Sequence, residues 1–249
     1  MNSLTKLKKE LRALGNKEKA ANSMRFFKTD PGQYGAGDIF LGLTVPEQRT
    51  LAKKYQDLSL ADTITLLQSK EHEFRLTALM LLTKQYAEGT SKVQKIITDL
   101  YLANTRWINN WDLVDASAHY ILGDFLLQYK NEKQALLLLK KLARSKNLWE
   151  RRIAMVTTWA FIKTKNPKPT FVLGELLLND SEDLMHKAVG WMLREVGKYC
   201  GQKTLRSFLN QYASTLPRTA LRYSLEHFDE PLRQKYLKTK KGIMKPMAG

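Results

Sequence analysis

The sequence predicts an all-α protein built as an α-solenoid, a stack of helical hairpins with a curved inner surface, and three observations predict it. Apolar residues recur at helical spacing along nearly the whole chain, while the alternation typical of strands is weak. The one long break in that periodicity is a loop over 30–44 that holds four Gly and a Pro. Small residues recur at steps of roughly 30 to 40 residues, the length of a two-helix repeat, at Ala78, Ala118, Ala154, Gly190 and Ala220. An irregular all-α bundle is the alternative architecture.

Each helical segment is delimited by capping residues, by Gly or Pro, or by the loss of apolar periodicity. The pattern predicts helices over 2–14, 17–29, 46–56, 59–69, 71–87, 90–104, 110–129, 132–144, 149–164, 168–179, 182–199, 202–213, 217–227 and 230–238. The run T-V-P-E at 44–47 marks a helix start, with proline near the first turn and an acid behind it. Asn109 and Asn110 can cap the helix start before Trp111, and Asn147 can cap the helix that follows it. We expect one domain over 1–237 and a basic, disordered tail over 238–249.

Composition narrows the class of partner. Lys and Arg number 41 against 24 acidic residues, a formal net charge of +17. An excess of that size repels itself, so it indicates a polyanionic partner, either nucleic acid or an anionic membrane surface. Ten Tyr, five Trp and nine Phe accompany the bases. They favour nucleic acid, because aromatic rings stack on bases and sugars.

Several classes of function are disfavoured. Cys200 is the one cysteine, so the sequence predicts neither an intrachain disulfide nor a thiolate metal cluster. The four His lack H-x-x-x-H spacing, and Walker, Rossmann and nucleophile-elbow motifs are missing, so we expect no metal and no cofactor. The N-terminus is charged and amphipathic, and no apolar run approaches the ~20 residues of a spanning helix. We therefore expect no membrane association and a cytoplasmic location, in the bacterial cytosol or nucleoid.

The stretch W-I-N-N-W-D-L-V-D-A-S-A-H-Y-I-L-G-D-F, 107–125, is the leading candidate for an active site. Trp111 and Asp115 are four residues apart, so they share one helix face. Such a pair can stabilise a cation, the carboxylate by its charge and the ring by cation–π attraction. The alternative is a core tryptophan, with Asp115 bonded to a neighbouring Lys or to His119. Asp112 falls in the first turn, and the helix dipole accounts for its position.

Two further segments combine tryptophan with basic residues. In N-L-W-E-R-R-I-A, 147–154, Arg152 lies three residues after Trp149 and is placed to meet a phosphate, while Arg151 is expected in solvent. An ordinary surface charge is the alternative for either arginine. One predicted helix carries a stripe of three bases and a tryptophan, at Lys187, Trp191, Arg194 and Lys198.

This stripe suits a nucleic-acid backbone, and Arg218 extends the basic surface beyond it. The alternative places Trp191 in the core between helices, with the lysines extended around it. Gly190 lowers helix propensity by about 1 kcal/mol relative to Ala. Its presence indicates either a close approach of two helices or room for a ligand.

Together these segments resemble the AlkD-type DNA glycosylases, alkylation-repair enzymes built from HEAT-like helical repeats. The resemblance runs from near residue 20 to about 228. The segments that carry it are F-L-G-L-T-V-P-E-Q-R (40–49), W-D-L-V-D (111–115) with I-L-G-D-F-L (121–126), N-L-W-E-R-R-I-A (147–154), K-A-V-G-W-M-L-R-E (187–195) and L-P-R-T-A-L-R (216–222). It implies HEAT-like repeats with a concave basic face.

The resemblance also implies an activity and roles for single residues. Family members remove positively charged alkylated purines, such as N3-methyladenine and N7-methylguanine, from duplex DNA and leave an abasic site for base excision repair. Asp115 matches the catalytic carboxylate, and Trp111 and Trp191 match the two tryptophans that flank the damaged nucleotide's sugar. Arg152 matches an arginine that contacts the DNA backbone at the lesion, and Arg194 matches a further basic contact. We expect a monomer that binds duplex DNA without a cofactor.

Two other functions fit the same residues. A non-catalytic helical-repeat module would bind DNA or RNA in a salt-dependent way without releasing a base. A protein-interaction scaffold would present its basic face to an acidic partner and need no affinity for nucleic acid.

Overall fold

The computed structural model describes residues 2–239, and the chain divides into two compact units between Phe125 and Leu126. Within the described residues no strand forms, and Ile39 and Glu71 pair only in an isolated parallel bridge. The prediction of an all-α fold is confirmed. The single domain over 1–237 stays a prediction, and the predicted tail lies outside the described residues from position 240 onward.

The first unit is built around one long buried helix. Its helices are α1 (Ser3–Ala13), α2 (Lys17–Phe26), α3 (Val45–Lys54), α4 (Leu60–Leu67), α5 (His72–Glu88), α6 (Ser91–Ala103) and α7 (Trp111–Asp115), with a 3-10 turn at Thr105–Trp107 and a π-helical turn at His119–Gly123. Helix α5 packs against α1, α3, α4, α6 and α7 and is buried on nearly all sides. A helix in that position is apolar around most of its circumference, which the run F-R-L-T-A-L-M-L-L reflects.

The division between the units falls inside α8 (Asp124–Tyr129). The second unit continues with α9 (Glu132–Ala143), α10 (Leu148–Lys163), α11 (Lys168–Leu176), α12 (Asp183–Tyr199), α13 (Gln202–Tyr212), α14 (Arg218–Ser224) and α15 (Glu230–Leu237). Helix α10 packs against α9, α11 and α12, and α12 packs in turn against α13 and α14. These two long helices form the centre of the second unit.

The predicted helix starts are confirmed where a cap was recognised. Thr44 and Glu47 form a reciprocal capping box at the start of α3, with Pro46 in the first turn. The side chain of Asn110 accepts from the Trp111 N–H at 2.8 Å, and that of Asn147 accepts from the Trp149 N–H at 2.9 Å. Each cap satisfies a backbone donor that the first turn leaves without a helical partner.

The prediction of one continuous helix over 110–129 is wrong. Helix α7 ends at Asp115 after five residues, and the backbone turns before the π-helical segment begins. Ser117 accounts for the break, because its hydroxyl donates to the Leu113 carbonyl at 2.6 Å and bonds the Tyr101 hydroxyl at 3.0 Å. Local side-chain bonds of this kind compete with the helical ladder. Asp115 therefore lies at the C-terminal end of a short helix.

The five small residues of the predicted repeat are all buried in helices or in helix-like turns. They are Ala78, Ala118, Ala154, Gly190 and Ala220. The surroundings of Gly190 distinguish the two interpretations of this glycine, a close approach of two helices and room for a ligand. A Cβ there would lie 2.5 Å from the Cβ of Tyr223 and 2.6 Å from the Ala220 carbonyl oxygen. Gly190 therefore permits close packing of α12 on α14, and the close-approach interpretation is confirmed.

Replacing Gly190 by alanine is expected to destabilise the protein. The added methyl group meets backbone atoms, so α14 must shift, which costs about 1–3 kcal/mol and outweighs the gain of about 1 kcal/mol in helix propensity. Gly197→Ala is the matched control on the same helix, since its Cβ meets the flexible end of Leu205. Thermal unfolding of both variants measures the difference. A Gly190→Ala protein as stable as Gly197→Ala would contradict this packing account.

Among the described residues, no helix combines the length and apolar character that a membrane-spanning segment requires.

Candidate active site

The predicted site residues fall in both units. Trp111 and Asp115 are the first and last residues of α7 in the first unit. The others lie in the second unit, with Arg152 on α10, with Lys187, Trp191, Arg194 and Lys198 on α12, and with Arg218 at the start of α14.

Trp111 is held in an aromatic cluster. The Phe27 ring stacks on the indole with centroids 5.2 Å apart and an interplanar angle of 22°, and the Phe26 ring meets it edge-on at 5.9 Å. Phe27 also stacks on Phe40 at 5.0 Å. Because Phe27 covers one face of the indole, a cationic ligand would have to approach the other. Phe26 is 65% exposed, an unusual position for so apolar a side chain.

Asp115 is half-buried, and its charge acts on the fully buried Tyr101 behind it. Burial raises the pKa of the Tyr101 hydroxyl strongly, the bond to Ser117 opposes the rise, and the negative charge of Asp115 adds to it. A tyrosine in that environment stays neutral. The half-buried carboxylate of Asp115 is therefore close enough to the buried Tyr101 hydroxyl for its charge to act there.

A buried ionic cluster anchors the start of α7, and we call it the His72 network: Asp38, His72, Arg75 and Asp112. His72 Nδ1 lies 3.1 Å from Asp38 Oδ2, and His72 Nε2 lies 2.8 Å from Asp112 Oδ2. Arg75 Nη2 donates to Asp38 Oδ1 at 2.7 Å. Buried charges persist when they are paired in this way. The interpretation of Asp112 through the helix dipole alone is therefore incomplete, because its carboxylate binds His72.

The network shifts the pKa values of His72 and Asp38. Burial alone would lower the pKa of His72, but the charge and hydrogen bond of Asp112 and the bond to Asp38 raise it to about 8. Burial alone would raise the pKa of Asp38, but the hydrogen bond from His72 and the charge of Arg75 hold it below its ordinary value. At neutral pH the network is expected to contain two carboxylates and two cations.

The 27–44 loop between α2 and α3 is tied to α5 by a second buried carboxylate. Glu73 accepts the backbone N–H groups of Leu41 at 2.9 Å, of Gly42 at 2.7 Å and of Leu43 at 3.3 Å. Hydrogen bonds to charged groups contribute about 1.5–3 kcal/mol each. The loop is thus part of the folded unit, and it supplies Asp38 and Phe40 to the surroundings of Trp111.

In the second unit, Arg152 is buried and donates from Nη1 to the backbone carbonyl of Leu184 at 2.7 Å. This bond links α10 to α12. A contact between Arg152 and a DNA phosphate stays a prediction.

Trp191 and Arg194 share one acceptor on α12. The buried Glu195 accepts from Trp191 Nε1 at 3.1 Å and from Arg194 Nη2 at 3.0 Å. Arg194 also pairs with Glu226, so acids on two sides compensate its charge. The Trp159 ring lies 5.6 Å from Trp191 at an angle of 56°. Trp191 is half-buried, so its exposure is intermediate between the two predicted positions, a place in the core between helices and a place on a nucleic-acid-binding surface.

The remaining predicted DNA contacts are side chains at or near the surface. Lys187 pairs with Asp183 at 2.9 Å, one helical turn away. Lys198 is exposed, with its ammonium 5.2 Å from the ring centre of Tyr199. Arg218 is exposed and donates to a backbone carbonyl in α15 at 2.8 Å. Their roles in DNA binding stay predictions.

The expectation that Arg151 is solvated is wrong. Its Nε donates to Asp180 Oδ2 at 2.6 Å, and its Nη1 donates to the carbonyls five and six residues earlier, at 3.1 Å each. Arg75 in the first unit bonds the carbonyls at the same two offsets, at 3.0 and 3.1 Å, and pairs with Asp38. Both arginines lie three residues before a small residue of the repeat. They fix the loop before their helix in the same way.

Asp115 departs from this repeated pattern. The positions three residues before the five small residues are occupied by Arg75, Asp115, Arg151, Lys187 and Pro217. Three of these positions carry a base, and the last carries a proline. The position before Ala118, at the end of α7, carries an acid.

The sequence matches a known family across most of the chain. A sequence model for DNA alkylation repair enzymes matches residues 7–228. The chain belongs to the DNA alkylation repair enzyme family. A solved structure described as a predicted DNA alkylation repair enzyme from Enterococcus faecalis is similar in fold. It aligns with a TM-score of 0.69 and 19% identity over 87% of this chain and 97% of that chain. No curated protein matches the chain.

Membership of the DNA alkylation repair enzyme family fits the all-α fold and the predicted α-solenoid. Within the described part of the chain, no cluster of three or more His, Cys, Asp or Glu side chains is arranged to hold a metal ion. Sequence reasoning missed the participation of His72, Asp38 and Phe27. The run E-H-E at 71–73, where the largely buried α5 begins, is the signal that could have indicated a buried polar network.

Proposed function

We propose that this DNA alkylation repair enzyme is a monofunctional DNA glycosylase that hydrolyses the N-glycosidic bond of positively charged alkylated purines in duplex DNA. N3-methyladenine and N7-methylguanine are the proposed substrates, because both bases are positively charged. The single observation that supports the proposal most is the half-buried carboxylate of Asp115 on the same short, anchored helix as the Trp111 indole.

Hydrolysis of the N-glycosidic bond of a cationic base requires few catalytic groups from the protein. When the C1′–N bond breaks, its electron pair moves onto the purine, and the positive charge of the alkylated base is cancelled. The base leaves neutral, so no general acid is required. Water adds to C1′ of the sugar and loses one proton to solvent or to a carboxylate, which gives an abasic site and the free base.

Asp115 supplies the electrostatic part of this reaction. Positive charge develops on the deoxyribose in the transition state, and a fixed carboxylate beside it lowers the energy of that state. The same carboxylate can accept a proton from the attacking water. Trp111 favours the same cation through the face of its ring, and by the resemblance Trp191 is the second such ring.

Binding of the duplex is assigned to the basic surface. A net charge of +17 attracts the phosphate backbone without reading sequence. Arg152, Lys187, Arg194, Lys198 and Arg218 are the proposed contacts. Lys198 and Arg218, the exposed members, are expected to contribute to binding more than Arg194, whose charge is compensated by two glutamates.

Release of damaged bases tests the proposal. Duplex DNA treated with a methylating agent is incubated with the protein, free N7-methylguanine and N3-methyladenine are quantified, and abasic sites are counted in the DNA. A glycosylase produces one abasic site for each methylated base that it releases. Gel-shift titrations at two salt concentrations separate the alternatives, since salt-dependent binding without release would leave a non-catalytic binding module, and no binding would leave the protein scaffold.

A further inference from the structure

His72 connects the 27–44 loop to the helix that carries the candidate catalytic pair. One ring nitrogen faces Asp38 of the loop at 3.1 Å, and the other faces Asp112 of α7 at 2.8 Å. A neutral imidazole has one N–H, so it donates to one carboxylate only, whereas an imidazolium donates to both. Both bonds can therefore exist together only while His72 is charged.

The surroundings leave His72 no other way to satisfy two acids. Its side chain is 2% exposed, and the Phe40 and Phe27 rings lie against it at 4.4 and 5.1 Å. The charged groups that face it are Asp38 from the loop, Asp112 from α7 and Arg75 from its own helix, with Arg75 Nη2 3.4 Å from Nδ1. Two carboxylates are thus balanced by two cations. Loss of the proton leaves one buried negative charge in excess, which is costly.

The bond to Asp112 falls at the point where α7 begins. Asp112 follows Trp111 directly, and Asp115 is three residues further along the same five-residue helix. So short a helix has little stability of its own and depends on its anchors for its orientation. Asn110, which caps it, is itself bonded to Asp38 of the same network at 3.4 Å.

We propose that His72 is a positioning residue, whose charged imidazolium holds α7, and with it Trp111 and Asp115, in the orientation that base release requires. The catalytic consequence rests on the proposed glycosylase function, while the charged bridge itself rests on the geometry of the His72 network. Deprotonation of His72 releases one end of the bridge and slows the reaction.

The direction of the pH effect follows from the pKa of His72, which is raised from 6.5 to about 8. A raised pKa means that the folded state holds the proton more tightly than the unfolded state does. The stabilisation from the bridge is therefore complete below about pH 6.5 and is lost as pH rises through about 8. The activity that depends on the bridge is expected to fall over the same interval.

NMR titration of the histidine ring protons measures the bridge directly. His72 is expected to titrate near pH 8 in the wild type and at lower pH in Asp112→Asn, because the asparagine removes the largest favourable interaction. The resonance that is missing in His72→Gln belongs to His72, and the one that is missing in His227→Gln belongs to the exposed His227, which serves as the reference. A His72 signal that titrates at or below 6.5, or that does not shift in Asp112→Asn, would overturn the bridge.

The rate of base release connects the bridge to catalysis. Single-turnover release from methylated duplex is measured from pH 6.0 to 9.0, and the wild-type rate is expected to fall about 10- to 100-fold, the range that misplacement by ~1 Å produces. In Asp112→Asn the fall moves to lower pH together with the His72 pKa. The rate of His72→Gln is expected to be low at pH 6.0, to change little with pH, and to equal the wild-type rate at pH 9.0. His227→Gln is expected to keep the wild-type pH profile.

A merely structural role predicts a different result. It would lower stability in His72→Gln but leave its pH profile parallel to that of the wild type, and that outcome would overturn the positioning role. If His72→Gln does not fold, the joint shift of rate and pKa in Asp112→Asn decides the matter. Failure to release a base at any pH would instead count against the proposed function, while the NMR titration still reports on the bridge.

Discussion

Replacing Asp115 by asparagine is expected to slow base release by about 10²- to 10³-fold, the loss that follows when one fixed electrostatic stabiliser of a transition state is removed. Asparagine keeps the size of the side chain but cannot offset the positive charge that develops on the sugar. Release from a duplex with one N7-methylguanine, under single-turnover conditions, measures the chemical step without the contribution of product dissociation.

DNA binding by the same variant gives the matched comparison. Loss of a negative charge near the phosphates is expected to leave affinity unchanged or slightly higher, so a slower rate cannot be assigned to weaker binding. Asp99→Asn is the control, since Asp99 is exposed and pairs with Lys95 on α6. Equal rates for the wild type and Asp115→Asn would remove this carboxylate from the mechanism.

Replacing Arg75 by alanine is expected to cost about 3–5 kcal/mol of unfolding free energy, because it removes the nearest cationic partner of the buried Asp38 carboxylate. Arg75 and Asp38 are 2% and 4% exposed in their side chains, and their ion pair is 2.7 Å long. The two carbonyls that Arg75 bonds would also lose a donor. Urea unfolding followed by circular dichroism measures the change.

The repeat provides the control for this variant. Arg151 makes the same backbone bonds in the second unit and pairs with Asp180, but its side chain is 14% exposed. The Asp180 side chain is 4% exposed, as buried as that of Asp38, but removal of the partly exposed Arg151 side chain lets water reach it, so the loss for Arg151→Ala is expected to be smaller. Similar losses for both variants, or a loss below about 1 kcal/mol for Arg75→Ala, would show that the buried pair is not a main source of stability.

The sequence predicted the features that depend on near neighbours. Helical periodicity, the helix start at 44–47 and the caps at Asn110 and Asn147 depend on residues within one or two turns, and these predictions are confirmed. The spacing of Trp111 and Asp115 likewise places both on one helix. Such features are visible in a linear pattern because the physical interaction spans three or four residues.

The features that were missed depend on distant partners. Ser117 ends α7 through its hydrogen bond to the nearby Leu113 carbonyl, but the Tyr101 hydroxyl, on another helix, also bonds and orients the Ser117 hydroxyl. Arg151 was expected in solvent because its partner, Asp180, lies 29 residues away. The His72 network joins residues 34 and 40 positions apart. No local pattern shows that three separated segments meet. Charged residues at the start of a buried helix indicate only that they have partners elsewhere in the chain.

The charge of the damaged base tests the central claim most directly. N7-methylguanine in duplex DNA is cationic, and mild alkali opens its imidazole ring to give a neutral base at the same position of the same duplex. A protein that relies on Asp115 and on a base that leaves without a general acid is expected to release the cationic form and to act on the ring-opened form at least about 10²-fold more slowly. Equal release of the two forms, or release of neither by a protein that binds both duplexes, would contradict it.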